Sequence, residues 1–375
     1  MLKIAAIPSL VRLHAGDAAF LFQQRRRAFS EHRLGELGLG RLDQRLEANI
    51  AGLVAAGQMG WDIALEQTAE FPGAGEMFAL AALALATGEN VGKAIAVALP
   101  TDAGRRGLSG ALAWSRPEEL KPFLAGWQTA ADPALRLLGM IALGHHGHDP
   151  GQTLADGLDD PDPGLRRRAT RLAFELGRLD TLGQLRALQG DPVAGFWARM
   201  ALVRFGERRE IADQDLVDPG RAGLALDHLL AARPDRARAL LSPLLKRPDV
   251  GLLALSRAGV SGDQSILSWL VQQMADPALA EAAGFALLDL YPLDITDCGL
   301  FSENPAGLGP EFAALDPAPL PIAAKVKDWV AAGAEVPAPF VSLRHLGLQA
   351  MRLGALNPSR PLARWRHRRA TAAWL

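Results

Sequence analysis

The sequence contains one cysteine and one tyrosine among 375 residues, and it lacks long uninterrupted apolar runs. The lone thiol, Cys298, cannot form an internal disulfide and excludes a cysteine-rich metal site, which favours a reducing compartment. No apolar stretch reaches the roughly 18 residues that a transmembrane helix needs. Runs of β-branched residues are also few, which argues against an all-β fold. We therefore expect a mainly helical, cytoplasmic protein that does not cross a membrane.

An excess of charge of either sign is also missing, since 40 basic residues stand against 41 acidic ones. A protein that tracks nucleic-acid phosphates usually carries a basic surface large enough to shift its net charge. We therefore regard nucleic acid as an unlikely partner. The hydrophobic content of 49% is high enough for a large core.

Residues 162–177 contain the start and stop signals of one complete helix. Asp162 can accept hydrogen bonds from the free amides of the first turn, and Pro163 has the backbone angle that suits the first helical position. Apolar residues then recur at helical spacing, and Gly177 can adopt the left-handed conformation that ends a helix. The pattern predicts a helix from residue 163 to residue 176.

The same start recurs at intervals of 30, 29, 27, 29 and 29 residues: Asp132-Pro133, Asp162-Pro163, Asp191-Pro192, Asp218-Pro219, Arg247-Pro248 and Asp276-Pro277. Seven positions after each start lies a small residue: Gly139, Ala169, Ala198, Ala225, Ala254 and Ala283. Steps of 30 back from Asp132 reach Asp102 and Pro72. Small residues are needed where two helices cross closely. We therefore expect these positions to be buried at helix crossings.

Second helices are predicted between the stops and the next starts: Gln152–Leu158, Thr181–Leu188, Arg236–Leu245 and Gln264–Met274. A pair of short helices every 29 or so residues is typical of an α-solenoid. We predict an all-α fold of stacked helical hairpins with three segments. These are an N-terminal helical cap at 1–70, about eight units of 27–30 residues at 71–291, and a less regular segment at 292–375.

The last third of the chain separates its charges. Residues 258–324 carry nine acids and no base, whereas residues 336–375 carry seven arginines and no acid. Opposite charges attract over about a Debye length in physiological salt. We predict that the two segments bind each other, within one chain or between two. Helices are expected at Ala323–Ala332 and Phe340–Leu353.

The Asp-Pro-x-x-Arg start and Leu-Gly stop of residues 132–144 resemble the HEAT-like repeats grouped with phycobilisome-lyase repeats. More narrowly, residues 14–22, 42–49, Gly52-Leu53 and Gly60-Trp61 resemble the opening of a bacterial HEAT-like family. Residues 343–347 are similar to its C-terminal segment. Genes of that family tend to lie in type VI secretion clusters, beside spike-tip and effector genes. The resemblance implies an adaptor that binds a secreted effector or spike component, and it supplies no catalytic residues.

Arginines supply the candidate binding residues. Arg136 and Arg166 lie four positions after an Asp-Pro start, the spacing for an Asp–Arg ladder between neighbouring units. The denser cluster of Arg167, Arg168 and Arg171 is expected off the apolar stripe, either on a solvated face or in a site for an anionic partner. The basic tail adds further partner-binding candidates: Arg364, Trp365, Arg366, Arg368 and Arg369.

The only histidine cluster, His145, His146 and His148, follows a helix and offers a weak metal site. We expect solvated turn residues there, because flexible neighbours rarely converge on one ion. We found no Walker loop, nucleophile elbow or zincin motif, so we expect no cofactor and no enzymatic activity. The burial expected for Trp114, Trp197 and Trp269 points to packing. An acidic loop would raise the pKa of Cys298 and disfavour a nucleophile there. The alternative function is a HEAT-like nucleic-acid enzyme such as a DNA glycosylase, or a lyase of the phycobilisome type.

Overall fold

A computed structural model of the chain describes residues 6–28, 32–207 and 212–359. The fold is all-α, with 19 α-helices in the described residues. The only strands there, Phe301–Ser302 and Leu320–Pro321, form a two-stranded antiparallel ribbon within the Pro/Gly-rich segment. No helix in the described ranges is both long enough and apolar enough to pass through a bilayer.

The chain forms two compact units. Within the described residues, unit 1 contains 6–28 and 36–197, and unit 2 contains 32–35 and 198–359. The helices of unit 1 are α1 Pro8–Arg27, α2 Glu36–Ala55, α3 Gln58–Glu70, α4 Ala74–Thr87, α5 Val91–Ala98, α6 Asp102–Trp114, α7 Pro117–Gln128, α8 Pro133–His145, α9 Gln152–Leu158, α10 Pro163–Leu176 and α11 Leu182–Ala187.

Helix α12, Gly195–Arg204, contains the boundary between the units. The helices of unit 2 are α13 Pro219–Ala232, α14 Ala237–Leu244, α15 Gly251–Ser256, α16 Leu267–Gln273, α17 Ala280–Leu290, α18 Ala323–Ala331 and α19 Leu343–Leu356. All four predicted second helices are present, as α9, α11, α14 and α16. Their ends lie within three residues of the predicted ends.

The predicted caps are confirmed where the chemistry is most complete. The carboxylate of Asp162 accepts from the backbone N–H of Leu165 at 2.8 Å, and Gly177 ends the helix with φ 74°. Asp132 and Asp218 cap α8 and α13 in the same way. Local cap chemistry therefore sets these three boundaries.

Two predicted starts are wrong by one residue. Thr101 rather than Asp102 caps α6, with its side chain accepting from Gly104 N at 2.9 Å. Helix α4 begins after Gly73, not after Pro72. Both errors have one cause, because the repeat was extended backwards by a fixed step. At Asp191, Arg247 and Asp276 the chain makes a turn first, and regular helix begins three or four residues later.

The predicted small residues are all buried. Ala169, Ala198, Ala254 and Ala283 have 0% relative exposure, and a Cβ placed on Gly139 would lie 3.3–3.4 Å from atoms of Trp127 and Gln128. Such contacts are closer than most real Cβ contacts. These positions therefore permit close packing, as the spacing of the repeat predicts.

Candidate functional site

A cleft of about 550 Å³ lies in unit 1 and is lined by residues of α1, α2, α4, α6 and α7. Helix α2 forms one wall with Asp43, Glu47, Ile50, Ala51, Val54 and Ala55. These positions follow the three- and four-residue spacing of one helix face. The carboxylates stand at one end of this wall and the apolar side chains at the other. The volume is within the usual range for ligand pockets.

Arg25 forms the charged base of the cleft. It is 4% exposed, and its Nε donates to Oδ1 of Asp43 at 2.6 Å. The guanidinium carbon lies 5.4 Å from the centroid of the Trp114 ring, so a cation–π contact adds to the ion pair. Burial is tolerable for this arginine because a carboxylate and an aromatic face together compensate for its lost hydration.

The rim of the cleft is built by the start of α7. Glu119 accepts from the backbone N–H and from Nε of Arg116, each at 2.9 Å. Glu119 thereby raises the pKa of the Arg116 guanidinium, and Glu47 raises it further at longer range. Among the described residues, Glu47 is exposed and has no ion pair. Three carboxylates against two guanidiniums leave the cleft one negative charge in excess.

The predicted basic face of α10 is wrong for Arg168. This residue is 1% exposed, because it lies three and four positions from Leu165 and Leu172 and so shares their buried face. Space for it depends on Gly144, where a Cβ would lie 2.5 Å from Arg168 Nη2. A position inside the core makes Arg168 unsuitable as a surface contact for a partner.

The other two arginines of that cluster are also not freely solvated. Arg167 is partly buried. Arg171 donates from Nε to Glu175 at 3.0 Å, and its guanidinium carbon lies 4.8 Å from the Trp197 ring centroid. The partner role proposed for Arg167 and Arg171 stays a prediction.

The histidine cluster is divided between core and surface. His145 is 3% exposed and its Nε2 lies 2.9 Å from the Ser109 hydroxyl, so the expected solvated turn is wrong for this residue. Burial, reinforced by the charge of Arg168, holds the pKa of His145 well below its usual value. His146 donates to the carbonyl of Leu112 at 3.0 Å, whereas His148 is exposed. Within the described ranges, no three His, Cys, Asp or Glu residues form a group that could hold a metal ion.

The remaining candidates of the tail, Arg364, Trp365, Arg366, Arg368 and Arg369, lie outside the described residues. Cys298 is half-buried, and burial together with Asp294 and Asp297 raises the pKa of its thiol, as expected. A raised thiol pKa disfavours the nucleophilic thiolate.

Unit 2 contains a buried ionic network that the sequence analysis did not identify. Arg344 donates to both oxygens of Asp289 at 2.5 Å and to both oxygens of Asp227 at 3.0 Å. Nε2 of His32 lies 2.8 Å from Asp289, and Arg257 lies 3.1 Å from Asp227. Burial favours the neutral acid, yet Arg344 and His32 outweigh it and hold the pKa of Asp289 far below its usual range. The network fixes α19 against α13 and α17.

This network partly answers the predicted attraction between the acidic and basic segments. Asp289 belongs to the acidic stretch and Arg344 to the basic one. Arg352 also donates to the carbonyl of Val260, at 2.6 Å. The two segments therefore bind each other within the chain at these points. His32 had no sequence signal, because it is distant from its partners along the chain.

No protein-family model, curated protein or solved structure matches this chain. The resemblance to HEAT-like families and to type VI secretion genes therefore stays a prediction from the sequence.

Proposed function

We propose that this protein is a non-enzymatic binding scaffold. Its role is that of an accessory or adaptor protein of a bacterial type VI secretion system, which binds a secreted effector or a spike-tip component in the cytoplasm. The unit 1 cleft is the observation that supports this proposal best. Two of its three carboxylates are held by arginines, so the cleft offers fixed charges suited to binding rather than a free acid or base.

The cleft favours a partner segment with two chemical parts. Its carboxylate end attracts a basic side chain, and the apolar end formed by Val54, Ala55 and Ala86 can bury aliphatic or aromatic surface. Removal of apolar surface from water supplies the affinity, and the charges set the orientation of the segment. A basic, partly apolar segment of an effector or spike protein has this chemistry.

Affinity capture of the tagged full-length protein, followed by identification of the bound partner, tests this proposal. Val54→Asp places a charge on the apolar wall, and we expect it to reduce capture of that partner at least tenfold. Val97→Asp is the matched control, because Val97 is similarly exposed but lies outside the cleft, at 39% against 37%. Equal capture by both variants and the wild type would remove the cleft from the proposal.

The second candidate function is a nucleic-acid enzyme such as a DNA glycosylase. The observation in its favour is that the cleft brings together an arginine, a tryptophan and a partly buried aspartate: Arg25, Trp114 and Asp43. However, Glu47 and Glu119 flank these residues, and carboxylates repel the phosphates that such an enzyme must bind. Salt-dependent retention on DNA with release of a base would favour this candidate. No observation favours a lyase of the phycobilisome type.

A further inference from the structure

The wall that α2 presents to the cleft has two distinct ends. Asp43 and Glu47 stand at one end, and Val54 and Ala55 at the other. Twelve helical residues separate Asp43 from Ala55, which corresponds to roughly 18 Å at 1.5 Å per residue. An occupant must therefore place positive charge and apolar surface about this far apart.

The C-terminal residues 360–375, outside the described residues, have this composition in the same sequence. Residues 364–369 contain four arginines and no acid, and residues 370–375 contain Trp374 and no ionisable side chain. Five residues separate Arg369 from Trp374, which in extended conformation span about 17 Å at roughly 3.3 Å per residue. Both the charge pattern and its spacing therefore match the wall of α2.

We propose that the C-terminal segment 360–375 of this chain binds in the unit 1 cleft when no partner is present. Arg368 or Arg369 pairs with Glu47, the one carboxylate of the cleft without an ion pair in the described part of the chain. Trp374 then packs on the apolar end beside Val54. A covalently attached segment has a high effective concentration, so a partner must compete with it for the cleft. The segment thus acts as an autoinhibitory ligand, and only partners that bind more tightly displace it.

This inference takes from the proposed function only the role of the cleft as a docking site, and its test needs no partner. Limited trypsin digestion of the purified full-length protein reports on the segment, since trypsin cleaves after arginine. In the fast-opening regime the cleavage rate follows the population of the released segment. We expect cleavage after residues 364–369 to be roughly fivefold to tenfold faster in Glu47→Lys than in the wild type.

Glu70→Lys is the matched control, because Glu70 is an exposed glutamate of α3 that lies outside the cleft. Combining Glu47→Lys with Arg369→Glu restores the opposite charges and should restore protection. Trp374→Ala tests the apolar end and should also accelerate cleavage. Protection that is independent of protein concentration assigns the segment to its own chain, and protection that increases with concentration assigns it to a second copy. Equal cleavage rates in the wild type, Glu47→Lys and Trp374→Ala would overturn the inference.

Copurification and proteolysis fail separately. A protein that captures a partner through the cleft but shows no protected segment retains the proposed function and loses the inference. A protected segment without any captured partner does the reverse.

Discussion

Ion pairs in unit 1 join neighbouring repeats, whereas those of the unit 2 network join segments far apart along the chain. In unit 1, Arg136 pairs with Asp160 at 3.2 Å and Arg166 with Asp191 at 3.0 Å, over 24 and 25 residues. The side chains of these four residues are 13–27% exposed. In unit 2, Arg344 bonds residues that are 55 and 117 positions away, and those carboxylates are 0–8% exposed.

This difference separates two ways of using an arginine. Each ladder arginine also donates to the backbone carbonyls five and six positions before it, so every repeat can use the same arrangement. The loss of one such contact leaves groups that water can reach. The unit 2 network has little access to water, so each member depends on all the others. Mutations should therefore be graded by burial of the partner that is left behind.

The largest effect is expected for Asp289→Ala. This change leaves Arg344 and His32 without their shared carboxylate inside unit 2, and removal of one partner from a buried pair typically costs about 3–5 kcal/mol. We expect a decrease of that size in the free energy of unfolding, measured by urea denaturation. Asp297→Ala is the control, because that exposed residue has no ion pair in the described residues, and it should change stability by less than about 0.5 kcal/mol. A cost below about 1 kcal/mol for Asp289→Ala would contradict a cooperative buried network.

The next effect concerns acid sensitivity in unit 1. His145 has a lowered pKa in the fold, whereas in the unfolded chain it titrates near 6.5. Below that pH the unfolded chain takes up a proton that the folded protein does not, so stability falls as pH decreases. His145→Gln removes this titration and can keep a hydrogen bond to Ser109. The free energy of unfolding, measured between about pH 7.5 and 5.5, should therefore fall less steeply in this variant. His148→Gln alters an exposed ring and should leave the slope unchanged.

A smaller effect is expected for the ladder. Arg166→Ala removes hydrogen bonds to Asp191 and to the carbonyls of Asp160 and Pro161, and we expect a cost of about 1–2 kcal/mol. A double-mutant cycle with Asp191→Ala separates the ion pair from the carbonyl contacts. Lys93→Ala, at an exposed position of α5, controls for loss of a positive charge. If Arg166→Ala cost as much as Asp289→Ala, the distinction between the two kinds of contact would fail.

Repeat spacing predicted what depends on local chemistry. The cap at Asp162, the stop at Gly177 and the Asp–Arg contacts all follow from residues within one repeat or its neighbour. The assignment failed at Thr101, because threonine caps a helix as aspartate does and a fixed step cannot tell which of two adjacent residues is used. Arg168 was misplaced because its charge was given more weight than its helical phase.

The cleft and the unit 2 network could not be predicted, because their members come from helices with no common period. Asp43 and Trp114 meet at Arg25 only because of how α1, α2 and α6 pack. In the sequence, Arg25 belongs to a run of three arginines that suggests a solvated surface, whereas in the fold it is 4% exposed. Charge asymmetry between 258–324 and 336–375 indicated that the segments attract, but it did not identify Asp289 and Arg344 as the buried pair.

The smallest effect is expected for a pair that looks strong by distance alone. Arg12 and Glu66 of unit 1 lie 2.7 Å apart, close to the distance between His32 and Asp289, yet their side chains are 46% and 56% exposed. Water solvates both groups when the pair breaks, so Arg12→Ala should cost less than about 0.5 kcal/mol. Raising the salt concentration should reduce even this difference, since exposed charges are screened. A cost near that of Asp289→Ala would show that contact distance, rather than burial, determines the strength of these ion pairs.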